Sequence, residues 1–183
     1  MSGDLDELAR REMTLLAHAQ ATEGEMLDVE RHLREEGTYA ESAAIHAAYV
    51  VLADLPKRDL EALKRAVFLA WYSGAEPACF TGIGDLDEEA LERTWVVLEE
   101  AFAGNAVDDE LTVMLGWYQA VGYDIGGFPG TDGRWHECVS PTFRARLDAL
   151  DGGAYKRHHF SRDDLLKRGQ MGVYWISIAC RPD

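Results

Sequence analysis

Two short runs in this sequence put aromatic rings next to groups that can move a proton or hold a ligand. The first is Trp71-Tyr72, followed by Glu76 just before Pro77. The second is Trp117-Tyr118, followed by Tyr123, Phe128, Trp135 and His136 in a glycine-rich stretch. Indole and phenol rings combine a large apolar surface with one polar atom, so they recur in ligand pockets and at the centres of interfaces. A glutamate held among such rings has a raised pKa and can act as an acid or a base. Glu76, Tyr72, Tyr118 and His136 are therefore expected to converge if a pocket forms under loops 73–84 and 119–135, with Trp71, Trp117 and Tyr123 as further binding residues.

Other chemistries find less support. His136-Glu137-Cys138, His158-His159 and Cys180 are zinc-ligand types, but the chain has no C-x-x-C or H-x-x-x-H pair to bring them together. Cys79, Cys138 or Ser140 with His136 and Asp132 would make a nucleophile, a base and an orienting acid. No G-x-S-x-G elbow or cysteine-protease signature accompanies them. The glycines at 122, 126, 127, 130 and 133 do not form a phosphate loop, because no G-K-[ST] ending follows them. The sequence thus assigns no catalytic residue, no metal and no cofactor.

Charge points to the partner. The formal net charge is −15, which repels nucleic acid and anionic membranes and favours a basic protein surface. Residues 85–110 concentrate the acid, with ten acidic residues against one basic. Asp85, Glu88, Glu89 and Glu92 form the acidic face that a basic partner would meet. The basic segment 144–168 is expected to dock on the chain's own acidic faces rather than on DNA or RNA. Three cysteines without paired spacing fit a reducing compartment. Residues 1–15 are charged rather than apolar, and no apolar run approaches the length of about 20 residues that spans a bilayer. These features read as cytoplasmic, with no membrane partner.

The elements that must position these groups are helices. The 183 residues fit one domain spanning 1–183. Residues 1–37 read as one long N-terminal helix from Asp4 to Glu35, with Gly24 as the place for a kink or break. Its seam, Leu5, Leu8, Glu12, Leu15, Ala19, Thr22, Met26, Val29 and Leu33, suits packing on the chain's own bundle, or a homodimer through residues 5–33. Residues 39–54 form a second, buried helix whose lone interior histidine, His46, reads as a core residue with one hydrogen bond.

The turn at Asp54-Leu55-Pro56-Lys57 opens a third helix, which ends near Gly74 because Glu76 precedes a proline. Residues 77–84 read as an apolar loop. Asp85 and Glu88 have capping-box spacing for a fourth helix to Phe102, and Asp108 or Asp109 starts a fifth. A shift of 46 residues lays Val50-Val51-Leu52 on Val96-Val97-Leu98 and Trp71-Tyr72 on Trp117-Tyr118. Duplicated helical hairpins at 39–84 and 85–130 follow from this, and C-terminal helices fill 131–183. Ser140-Pro141 and Ser161 start two of them. Val173 to Cys180 reads equally as a helix turn or as a strand paired with Arg134 to Val139.

The fold class is thus all-α: a bundle of six to eight helices built on two antiparallel hairpins, with a minor C-terminal β-ribbon as an option. The leading functional expectation is an acidic, non-catalytic protein-interaction module, with the physical character of an inhibitor or immunity-type partner of a basic protein. The alternative is a small-molecule-binding protein or enzyme with the pocket described above.

Overall fold

The computed structural model describes residues 2–55, 57–122 and 124–180, and the side chains from residue 4 onward. Among these residues the fold is all-α with one small two-stranded ribbon. The predicted long N-terminal helix is two helices, α1 (Ser2–Ala21) and α2 (Met26–Glu35). The break falls at Gly24, whose φ of +143° is a conformation that side chains rarely adopt. Leu5, Leu8, Leu15 and Ala19 are buried against the chain's own helices, and so are Val29 and Leu33 beyond the break. Most of the seam thus packs on the chain's own bundle, the first of its two readings, while Met26 stays exposed.

Helix α3 (Thr38–Ala53) packs closely along α4 (Leu60–Ala75). The start of α4 is set by Asp59, whose side chain accepts from the amides of Glu61 and Ala62 at 3.1 Å. The expected opening at Asp54–Lys57 is therefore early, and its Pro56 lies outside the described residues. From Ala62 to Trp71 every residue of α4 is buried, which makes α4 the central element. Its two cations are buried with partners. Lys64 Nζ is 2.7 Å from Asp108 and also contacts Glu110; Arg65 donates to Glu61 at 2.9 Å and to the Leu5 carbonyl at 2.9 Å. Glu76 ends the helix with extended backbone (φ −130°), as the residue before proline must.

The expected loop at 77–84 contains a single helical turn, α5 (Ala78–Thr81), against α1 and α2. Helix α6 (Glu88–Ala103) starts later than Asp85. Asp87 is its cap and accepts from the Ala90 amide at 2.9 Å. Asp85 adopts a positive φ of 49° and instead holds Arg34 in a bidentate pair at 2.8 and 3.0 Å. Helix α7 (Asp109–Ala120) is capped by Asp108, as the sequence indicated. The closest backbone neighbours of α6 are α4 and α3; those of α7 are α8 (Pro141–Asp148) and the tight turn at Ala154–Lys156.

The ribbon lies in the glycine-rich stretch, not at the C-terminus. Strand β1 (Gly127–Pro129) pairs antiparallel with β2 (Trp135–Glu137), Phe128 opposite His136. After the single turn α9 (Arg162–Leu165), residues 169–179 form helix α10 (Gly169–Ala179). The helical alternative wins there because of a distant partner. The Glu12 carboxylate accepts from the Gln170 amide at 3.0 Å, satisfying an amide at the positive end of α10. Met171 and Trp175 of α10 then enter the core beside α4 and α7. No described helix is long and apolar enough to cross a membrane.

Candidate functional site

The end of α4, the 83–88 turn and the glycine-rich ribbon enclose a cleft of about 640 Å³. It lies between the two loops that the sequence singled out. One wall is Ala70, Trp71 and Gly74 from α4, with Ile83 and Leu91 behind the turn. The other is Phe128, Gly130, Thr131 and Trp135 from the ribbon.

Local sequence explains why the ribbon closes here. A Cβ on Gly127 would sit 2.4 Å from the His136 carbonyl oxygen and 2.7 Å from the Trp135 ring. A Cβ on Gly130 would sit 2.4 Å from the His136 ring. Only glycine permits that approach. Phe128 is buried and stacks on His136, with centroids 5.5 Å apart and planes 10° apart. The Trp135 ring N–H donates to Glu137 at 3.2 Å, which fixes a half-exposed indole beside the cleft. One acid spans the opening: Glu88, in the first turn of α6, accepts from the Thr131 amide at 2.8 Å.

Trp71 is 3% exposed and stacks on Tyr118 at 4.3 Å and 18°. Its indole N–H has no hydrogen-bond partner among the described residues, although buried donors are nearly always paired. Three carboxylates, Asp85, Glu88 and Asp124, belong to the cleft lining. No Lys, Arg or His does, among the described residues. Arg34 holds the Asp85 carboxyl below its usual pKa and offsets its charge. Glu88 and Asp124 have no cationic partner among the described residues.

The predicted site residues divide. Trp71, Asp85 and Glu88 line the cleft. Tyr118 lies behind Trp71, fully buried, its hydroxyl accepting from Trp175 Nε1 at 2.9 Å. Tyr72 packs on Phe68 and Tyr174 instead, at 4.8 and 5.3 Å. Trp117 donates to the Tyr174 hydroxyl at 2.9 Å and packs on Tyr155. Glu76 is exposed and does not line the cleft. His136 sits behind Phe128 with its Nε2 3.4 Å from Asp132. Glu89 and Glu92 are exposed on α6 outside the cleft. Tyr123 lies outside the described residues. Asp124, Gly74 and Leu91 carried no signal in the sequence: each is an ordinary residue until the two loops meet.

The nucleophile sets do not assemble. Burial, with Glu92 and Glu137 nearby, pushes the Cys138 thiol up to about 11, and a protonated thiol is a poor nucleophile. The Ser140 hydroxyl donates to Glu99 rather than to His136. Cys79 is buried and its pKa is raised by that burial. Among the described residues no group of three His, Cys, Asp or Glu is placed to hold a metal ion. His46 makes the single side-chain hydrogen bond expected of a core histidine, to Thr94 at 3.1 Å, and burial pushes its pKa down to about 4.

A second concavity of about 570 Å³ lies between the end of α1 and α2. Four of its charged or titratable groups are engaged with one another or with a neighbour: Arg31 with Asp28 at 2.6 Å, and His18 and His32 with Glu36 at 2.8 and 3.3 Å. Comparison of the chain with protein-family models, curated proteins and solved structures gives no match.

Proposed function

We propose that this chain is a non-catalytic binding protein, working in the cytoplasm, that seats a small molecule in the cleft between the end of α4 and the 127–137 ribbon. The observation that supports this reading is the cleft itself: an apolar, aromatic floor with a few acidic groups at its rim. Its volume of about 640 Å³ lies within the usual range for ligand sites, which pair apolar walls with a few polar groups.

Gly74 gives a clean test. It lines the cleft in the last turn of α4, and a Cβ placed there meets nothing within 4 Å. Gly74→Leu therefore narrows the cleft without straining the backbone. A fragment screen by ligand-observed NMR is expected to give hits on the wild type that Gly74→Leu loses. Hits that persist unchanged in the variant would exclude the cleft as the site.

A second reading rests on α6. Glu89 and Glu92 are exposed and make no ion pair among the described residues, so this face is open to a basic protein surface. Reversing both charges is expected to abolish capture of such a partner at low salt. A partner indifferent to reversal and to salt would dismiss this face.

A further inference from the structure

We infer that the cleft selects an organic cation, an alkylammonium ion on an apolar or aromatic body. The inference rests on the reading of the cleft as a ligand site and goes on to name the ligand's chemistry. Three independent features point the same way.

The first is charge. Asp85 is offset by Arg34, but Glu88 and Asp124 leave the described lining with two uncompensated carboxylates and no Lys, Arg or His. One Glu88 oxygen is occupied by a neutral donor, the Thr131 amide; that bond leaves the carboxylate's negative charge in place. An anionic ligand would meet like charge here, and a cation gains from both groups.

The second is the aromatic wall. Trp135 supplies the exposed ring; Trp71 and Phe128 line the floor and the ribbon side but are buried, each with one face stacked on Tyr118 or His136. Aromatic faces attract cations through their quadrupole, tryptophan most strongly. Trp135 is the notable member. It is 44% exposed beside a cavity, yet its N–H bond to Glu137 at 3.2 Å and its packing over Gly127 fix the ring. A large apolar ring held rigid at a cleft mouth is already ordered for contact, which lowers the entropy cost of binding.

The third is what the cleft lacks. Ala70, Ile83 and Leu91 contribute apolar surface, and among the described residues no set of three ligating groups converges. A bare or hydrated metal ion is therefore poorly matched. An ion whose charge sits on an apolar body satisfies the acids and the rings together.

Three probes that share one phenylpropyl body and differ only in the head group separate the alternatives: phenylpropylamine (cationic at neutral pH), phenylpropanol and 4-phenylbutanoate. Titration calorimetry on the intact protein is expected to rank the amine first, at least about tenfold tighter than the alcohol, with the carboxylate weakest. Glu88→Gln with Asp124→Asn is expected to remove the amine's advantage while leaving the alcohol's affinity unchanged. The glutamine keeps an acceptor for the Thr131 amide, and circular dichroism checks that the fold persists. Trp135→Leu is expected to weaken the amine more than the alcohol.

If the alcohol equals the amine, and both are lost in Gly74→Leu, the cation inference falls and the ligand cleft stands. If none of the probes binds, or all bind Gly74→Leu as they bind the wild type, both fall. Binding of a lysine-containing peptide without either neutral or charged free probe overturns the inference in favour of a protein partner.

Discussion

Trp71-Tyr72 and Trp117-Tyr118 are the same dipeptide on two helices, yet their members exchange roles. In the first pair tryptophan is buried and tyrosine half-buried; in the second tyrosine is buried and tryptophan half-buried. The two buried members, Trp71 and Tyr118, stack on each other at 4.3 Å. The partly exposed members, Tyr72 and Trp117, both pack around Tyr174 of α10. Neighbouring residues on a helix point about 100° apart, so facing helices can draw their inner residue from different positions of one repeated motif. A matching sequence register therefore transfers an element, not the role of each side chain within it.

That contrast can be broken by experiment. The largest effect is expected from Trp71→Ala, which should cost about 3–5 kcal/mol in urea unfolding, as large-to-small core changes do. Trp117→Ala should cost less than about half of that, because part of its ring is already in water. Equal costs would mean that the two helices present the motif in the same way.

A second prediction concerns the acid in the same interior. Burial raises the Glu12 pKa from 4.5 to about 7, against the opposing hydrogen bonds from Tyr49 and Gln170 and the Arg65 charge. The folded state then holds a proton over a window in which the unfolded chain has lost it. The sign follows: this group's contribution is fully present below about pH 4.5 and is lost as pH rises through about 7. Glu12→Gln should therefore gain stability relative to wild type across that interval, by about 3 kcal/mol in total. His46, lowered to about 4, has the opposite slope: its stabilising effect is lost as pH falls from about 6.5 to about 4. Urea melts of wild type and Glu12→Gln at several pH values isolate the Glu12 part, since His46 is common to both. A difference that does not change with pH would mean Glu12 titrates alike in both states.

The smallest effect sharpens the comparison most. Tyr118→Phe strands the buried Trp175 N–H, whose acceptor at 2.9 Å is the lost hydroxyl, and should cost about 1–3 kcal/mol. Tyr72→Phe, in the half-buried member, should cost well under about 1 kcal/mol. Calorimetric melting of the two variants side by side would show it, and a reversed order would refute the assignment of inner and outer faces.

The same contrast explains what could be read from the chain. Caps with no competitor were legible: Ser140 and Ser161 begin the helices they should, and Asp108 proved to be the cap of the pair Asp108/Asp109. So was the break at Gly24, and so was the end of α4 before Pro77. Where several acids competed for one helix start, local rules chose wrongly. Asp59 and Asp87 won over Asp54 and Asp85, and both losers are committed to distant arginines, Arg93 and Arg34. The 173–180 run was undecidable because its deciding partner, Glu12, lies far away in sequence. The two loops flanking the cleft were visible as glycine and proline punctuation. Which side chains enter it was not, because one step along a helix separates Trp71, which lines the cleft, from Tyr72, which does not.

The bond between Glu12 and Gln170 also sets an order of events during synthesis. At about 5–20 residues per second, α4 leaves the ribosome several seconds before α10 exists. Throughout that interval a helix that is buried from Ala62 to Trp71 in the finished protein lacks one of its neighbours, and the Glu12 carboxylate lacks its amide donor. Helices α3 and α6, made just before and just after α4, cover most of it early, and only the side that faces α10 waits for the end of synthesis.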